Sequence, residues 1–221
     1  QKGDSSGMKA TVKVRVIYWS IFTTAEPEGL NNVEVKTRPE RAGENETVTY
    51  YSSYRGVTDS QGQKYIFDHW KTDEANKTLH SINYGVPVNN STVDDAFKMP
   101  RQDVHLTAVY TKSWSVEEKV IGIGQLPTLL FGATDYKEGT EVDTYFFENQ
   151  LTVRNLVLQA IKVTDSKGNE IDSRIKHDSR YVHVLFTMPA DTVTVEIYVA
   201  FDPDGNKELT LGEVVGDLLS G

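Results

Sequence analysis

"FKMPRQDVHLTAVY" occupies residues 97–110, and "FTMPADTVTVEIYVAF" occupies residues 186–201. Superposing the two phrases puts Met99 on Met188, Pro100 on Pro189, Val104 on Val193 and Leu106 on Val195, all at an offset of 89. After the Met-Pro pair both phrases alternate apolar and polar residues, the period-two pattern of a strand with one buried face. Proline is tolerated there because its missing N–H falls ahead of the ladder, while the methionine before it fills the edge of the core. The phrase reads as a strand-entry device used twice.

The likeness continues upstream. "YIFDHWKTD" (65–73) lies over "LVLQAIKVTD" (156–165), with Phe67 on Leu158 and Trp70 on Ile161 at an offset of 91, and "GENETVTYY" (43–51) resembles "KEGTEVDTYF" (137–146). Matched order with drifting offsets is what loop insertions leave between equivalent strands of a repeated unit of roughly 90 to 105 residues. The expected fold is mostly β, with two tandem small modules of β-grasp-like or β-sandwich type and a short C-terminal loop and helix. The expected boundaries are a flexible leader over 1–9, a first module over 10–112, a second over 113–201 and a terminal segment over 202–221.

Strand periodicity also appears in "TVKVRVIYW" (11–19), where Val12, Val14, Val16 and Tyr18 alternate with Thr11, Lys13 and Arg15 and are expected to face a core. It recurs in "ETVTYYSSY", "VEEKVIGI" and "RYVHVLF", all rich in strand-forming residue types. Only Thr72 to Ser81 and Thr210 to Leu219 read as helix.

Composition narrows the function classes. The 221 residues carry a net charge of −9 and no basic run that would neutralise phosphates, so nucleic acid is not an expected partner. The absence of cysteine excludes disulfides, thiolate metal sites and a cysteine nucleophile, and suits an exported bacterial protein. No apolar run reaches the length of a membrane span, so no membrane insertion is expected in this segment. The polar start "QKGDSSGM" reads as part of a processed or excised piece.

The order Y-x-F-x-x-W, then F-x-M-P-x-x-D-V-x-L-x-A-V-Y, is carried here by Tyr65, Phe67, Trp70, Phe97, Met99, Pro100, Asp103, Val104, Leu106, Ala108, Val109 and Tyr110. It resembles the internalin B-repeat type of bacterial surface repeat. The match runs over 43–110; in the second copy Ile161 replaces the tryptophan and Thr192 the aspartate. The resemblance implies small β-modules strung along secreted or wall-attached proteins, in a spacer or binding role without catalytic residues.

The chain ends in an acidic run. "DPDGNKELTLGE" (202–213) spaces Asp202, Asp204, Asn206, Thr210 and Glu213 at positions 1, 3, 5, 9 and 12 of a loop, with the Glu208 carbonyl at position 7. That spacing wraps oxygens around one centre as calcium requires. Gly205 resembles the opening of a dockerin loop, which implies a cohesin-like partner for this segment. Lys207 stands where glycine normally permits a left-handed turn, at a cost of roughly 1 kcal/mol. The competing reading is an ordinary acidic turn capping a solvated helix.

The five histidines show no metal-ligand spacing; the acidic pair Asp94 and Asp95 could serve a glycosidase only as facing carboxyls in a deep cleft, which two modules of this size are not expected to build. No nucleophile elbow, phosphate loop or dinucleotide fingerprint is present. Among the aromatics, Tyr50 and Tyr54 point the same way if "TYYSSY" is one strand, which makes them candidate neighbouring rings for sugar stacking.

The expected function is a non-catalytic, extracellular bacterial surface segment acting as a spacer or adhesive, closed by a calcium-stabilised loop. Only "TKSW" (111–114) separates Tyr110 from the next strand, which argues for a stiff connection between the modules. Its partner would be a host or cell-wall protein or glycan. The alternative is a carbohydrate-binding or cellulosome-associated module carrying part of a dockerin.

Overall fold

The computed structural model describes residues 13–122, 126 and 128–202. Calcium-loop residues Asp204, Asn206, Glu208, Thr210 and Glu213, and the expected C-terminal helix, therefore lie outside the described residues.

The chain is mostly β. Its first half forms β1 (Tyr18–Glu26), β2 (Val35–Arg38), β3 (Arg41–Gly43), β4 (Thr47–Ser52), β5 (Val57–Thr58), β6 (Lys64–Thr72), β7 (Asp94–Lys98) and β8 (Val104–Lys112). Its second half forms β9 (Trp114–Ile121), β10 (Asp135–Tyr136), β11 (Glu141–Phe147), β12 (Leu156–Thr164), β13 (Ser173–His177), β14 (Tyr181–Thr187) and β15 (Val193–Phe201). By packing, the described residues fall into two compact units: 13–28, Val33–Tyr54 and Phe67–Val109 in one, and Gly29–Asn32, Arg55–Ile66 and 110–202 in the other.

The same hydrogen-bonding plan occurs twice. In the first repeat the larger sheet runs β3-β1-β8-β6-β5, and in the second it runs β10-β9-β15-β12. The first and last strands of each repeat are parallel neighbours: Ile21 faces Val104 across β1 and β8, and Val116 faces Val193 across β9 and β15. The smaller sheets correspond equally well. Val48 faces Phe97 across β4 and β7, as Val142 faces Phe186 across β11 and β14.

Even the edges agree, for Lys36 pairs with Tyr51 as Phe131 bridges Tyr145, and Ser81 bridges Phe97 as Ser173 pairs with Phe186.

The Met-Pro phrase has the same surroundings in both repeats. Met99 and Met188 are each 1% exposed. The Met99 N–H donates to Glu46 O and its carbonyl accepts from Asn45 N, each at 2.9 Å; Met188 N–H donates to Thr140 O and its carbonyl accepts from Gly139 N, each at 2.8 Å. The turn residue that donates to the methionine carbonyl has a left-handed backbone in both copies, with φ of 63° at Asn45 and 77° at Gly139. Glycine adopts that conformation freely and asparagine is among the few residues that tolerate it.

The core of the second repeat lies between its two sheets. Val142 and Phe146 of β11, with Val182, Val184 and Phe186 of β14, pack in one cluster with Val193, Val195, Ile197 and Val199 of β15. In the first repeat Tyr50 on β4 meets Trp70 on β6 edge to face at 5.2 Å, and Trp70 donates from Nε1 to Thr92 O at 2.8 Å. This two-layer packing is sandwich-like. A β-grasp lays a helix across its sheet, and the only α-helix among the described residues is α1 (Asn149–Thr152), a single turn.

Two expected elements differ. Alternation over 11–17 does not produce a strand in the described part: Val14, Val16 and Ile17 are 81%, 59% and 61% exposed, and pairing begins at Tyr18 opposite Gly43. Periodicity marks strand competence, but a strand needs a ladder partner, and the partner strand β3 ends at Gly43. The helix expected over 72–81 shrinks to a 3-10 turn at Glu74–Asn76, capped by Asp73, whose side chain accepts from Asn76 N at 3.1 Å.

Candidate functional site

Strand alternation sends Val142, Thr144 and Phe146 of β11 inward, so Asp143, Tyr145 and Phe147 face outward. On β14 the inward set is Val182, Val184 and Phe186, leaving Tyr181, His183 and Leu185 outside. Register then decides which outward residues meet: Tyr145 faces His183 and Phe147 faces Tyr181, while β13 brings Lys176 beside His183. On the opposite edge Phe131 bridges Tyr145 through two backbone bonds of 2.7 and 3.2 Å.

The result is a continuous outward surface of five rings. Phe131 stacks on Tyr145 at 5.8 Å, Tyr145 meets Tyr181 edge to face at 5.4 Å, Phe147 lies 4.7 Å from Tyr181, and His183 lies 5.5 Å from Tyr145. Phe131 is 42% exposed, and the other four rings are half-buried. Phe131 is held in place from behind: Leu129 is fully buried, and Glu118 of β9 accepts from Leu129 N at 2.9 Å and Leu130 N at 2.6 Å.

Beside the rings opens a cleft of about 410 Å³ lined by Phe147, Glu148, Asn149, Thr152, Ser179 and Arg180. An apolar ring therefore borders a carboxylate, an amide, two hydroxyls and a guanidinium.

His183 has charged partners on both nitrogens. Nδ1 lies 2.8 Å from Asp143 Oδ1 and Nε2 lies 3.2 Å from Asp178 Oδ2. A carboxylate only accepts, so both bonds are made together only by the doubly protonated ring. The bond to Asp143, with Asp178 adding, accordingly holds the imidazole above its ordinary pKa. Asp178 is held below the usual carboxylate range by the backbone N–H groups of Arg180 and Tyr181.

No protein-family model, curated protein or solved structure matches the chain.

The first repeat builds the same outward face from different residues. Where the second has Tyr145, Phe147, Tyr181 and His183, the first has Tyr51, Ser53, Thr92 and Asp94, and Lys36 stands in the place of Phe131. Its cleft, of about 510 Å³, is lined by Lys36, Arg38, Tyr51, Asn83 and Asp94 among others. One tyrosine is common to both faces; the other rings are not required by the fold.

The tyrosines singled out from the sequence do not pair as expected. Tyr50 points inward and is 2% exposed, with its ring against Trp70 and Phe97. Burial, with Asp95 adding, pushes its phenol above the ordinary range. Tyr54 lies beyond the end of β4 and is 45% exposed, so the two share no exposed strip.

Of the acidic loop only Asp202 is described. It is 3% exposed and its N–H donates to Asn155 O at 2.7 Å. Asp94 and Asp95 point to opposite sides of β7: Asp94 is exposed, and Asp95 is buried, accepting from Asn83 Nδ2 at 2.7 Å.

Proposed function

We propose that this chain is a non-catalytic adhesive segment of an extracellular bacterial surface protein, and that the aromatic face of the second repeat is its contact surface, taking a saccharide. The observation that carries this reading is the five-ring outward face of β11 and β14, set against the same face in the first repeat with a single tyrosine. A pyranose presents one apolar C–H face and a rim of hydroxyls. Exposed rings take the first and a polar cleft takes the second, the combination of apolar lining and few placed polar groups that ligand sites use. The resemblance of the repeat to wall-attached bacterial modules supports the surface setting.

At about −0.3 kcal/mol per non-hydrogen atom, one sugar ring of about a dozen atoms gains about 4 kcal/mol, a millimolar dissociation constant; a longer chain across several rings binds tighter. The test is a glycan array followed by titration of the best hit, observed by backbone amide shifts. Shifts should cluster on residues 129–131, 143–149 and 178–183, and Tyr145→Ala should weaken binding at least tenfold while Tyr51→Ala leaves it unchanged. No hit on the array, or equal losses for the two variants, would refute the saccharide assignment.

A further inference from the structure

In each repeat the first and last strands are parallel partners. β1 is hydrogen-bonded to β8 with register from Ile21 opposite Val104 to Glu26 opposite Val109, and β9 to β15 from Val116 opposite Val193 to Ile121 opposite Tyr198. Each ladder therefore holds six register pairs. The chain enters a repeat at the start of its first strand and leaves at the end of its last. Tension on the chain pulls the two strands in opposite directions along their own axes. All rungs then carry the load at once; they do not open one after another.

We infer that each repeat is a mechanical clamp, sheared rather than unzipped when the chain is held at both ends. The inference deepens the surface-segment reading only in assuming such tension; the clamp itself rests on strand direction. Side chains reinforce it. Across β1 and β8 the Phe22 and His105 rings stack at 4.8 Å, Thr24 Oγ1 and Thr107 Oγ1 are hydrogen-bonded at 2.8 Å, and Ser20 N donates to Asp103 Oδ1 at 2.8 Å. Phe22 is 47% exposed, so this stack adds nothing to a closed core and lies directly on the loaded seam. Across β9 and β15 the paired residues Lys119 and Glu196 form an ion pair at 3.6 Å.

The load also passes from one clamp to the next with little slack, because Ser113 alone separates the end of β8 from the start of β9. Repeats loaded in series each extend only after their own ladder shears.

The chain has no cysteine, so engineered ones make unique handles for single-molecule pulling. In the second repeat, Lys112→Cys with a C-terminal handle shears β9 against β15, whereas Lys112→Cys with Ala190→Cys pulls the same two strands apart from one end. The first repeat offers an independent pair: Ile17→Cys with Lys112→Cys shears, and Ile17→Cys with Arg101→Cys unzips. At about 3.4 Å per residue, each sheared repeat should release about 300 Å of chain.

Unfolding is then governed by the loaded barrier. With six rungs sharing the force instead of yielding singly, the shear force should exceed the unzipping force by about two- to six-fold. Equal forces in the two geometries, in both repeats, would overturn the clamp. A negative glycan array leaves this measurement intact, and loss of the force anisotropy leaves the binding result intact, so the two proposals fail separately.

Discussion

Truncating Met99 and Met188 to alanine tests the repeat at its most specific point. Both side chains are 1% exposed, and in both the backbone N–H and carbonyl are bonded to the turn before the neighbouring strand. The substitution leaves those bonds alone and removes only packing. Three heavy groups at about 0.8 kcal/mol each give about 2.4 kcal/mol, and a partly collapsed cavity raises the loss to about 3 kcal/mol, within the usual 2–5.

The assay is peptide-resolved hydrogen exchange at increasing urea, read on β4 and β7 for Met99→Ala and on β11 and β14 for Met188→Ala. At a slope of about 2 kcal/mol per molar, each midpoint should fall by about 1.5 M urea. Equal burial predicts equal loss. A cost of about 3 kcal/mol for one variant and less than about 1 for the other would mean that the two methionines do not plug equivalent sites, and the doubled architecture would lose its strongest support.

Other consequences are equally direct. At Gly122, with φ of 115°, an added Cβ would lie 2.0 Å from Val199 O, so Gly122→Ala must part β9 from β15. Its melting temperature should drop far more than that of Gly139→Ala, where φ is 77°, the space is open and only about 1–2 kcal/mol of backbone strain is expected. Similar drops would refute the clash. His183 has its folded pKa raised above 6.5, so its stabilising contribution is complete below that pH and fades as pH rises through the raised value. Asp143, Asp178 and Lys176 face the ring. Urea midpoints of wild type and His183→Gln should converge between pH 6 and pH 9, and an imidazole titration below 6.5 would contradict the geometry. Glu118→Ala removes the acceptor that pins Leu129 and Leu130, costing about 2–3 kcal/mol by analogy with other charged acceptors. Amide protection at 129–131 should fall first, and saccharide affinity should fall with it if Phe131 contributes.

The doubled order of strands was legible because Met-Pro followed by alternation is local chemistry. What escaped was everything set by partners distant in sequence. Val14 and Val16 have the same pattern as buried strands, yet stay exposed because the described ladder begins at Tyr18. The repeat also reaches the first strands: "WSI" at 19–21 and "WSV" at 114–116 are equivalent, since Ile21 faces Val104 and Val116 faces Val193. That match was in plain view, but three residues carry little weight until register aligns them.

The aromatic face was hidden for a related reason. Its rings come from Phe131, "YFF" at 145–147 and "YVH" at 181–183, and only antiparallel register makes them neighbours. A usable signal existed in the outward positions. Phe147 and Tyr181 are aromatic where a half-exposed strand ordinarily has polar residues. Tyr50 misled because alternation told which tyrosines share a side, but not which side faces the core.

Whether the five rings serve binding or only stability turns on magnitude. Ring pairs contribute about 0.5–1.5 kcal/mol beyond their burial, and half-exposed pairs sit at the lower end of that range. Tyr145→Ala should therefore cost about 1–2 kcal/mol, a minor fraction of what a folded domain of this size holds, and the protein should stay folded. The first repeat keeps a tyrosine at Tyr51, in the place of Tyr145, but has Lys36, Ser53, Thr92 and Asp94 in the places of Phe131, Phe147, Tyr181 and His183, and its β2-β4-β7 sheet forms without those rings. Half-exposing three further apolar rings, Phe131, Phe147 and Tyr181, in place of such residues costs apolar hydration with no demand from the fold. That cost is explicable when a ligand covers the rings, and the stability of Tyr145→Ala together with Tyr181→Thr, an exchange for the residue the first repeat has at Thr92, separates the two accounts. A loss of binding with the fold intact favours the ligand; unfolding of the sheet would make the rings a stabilising cluster.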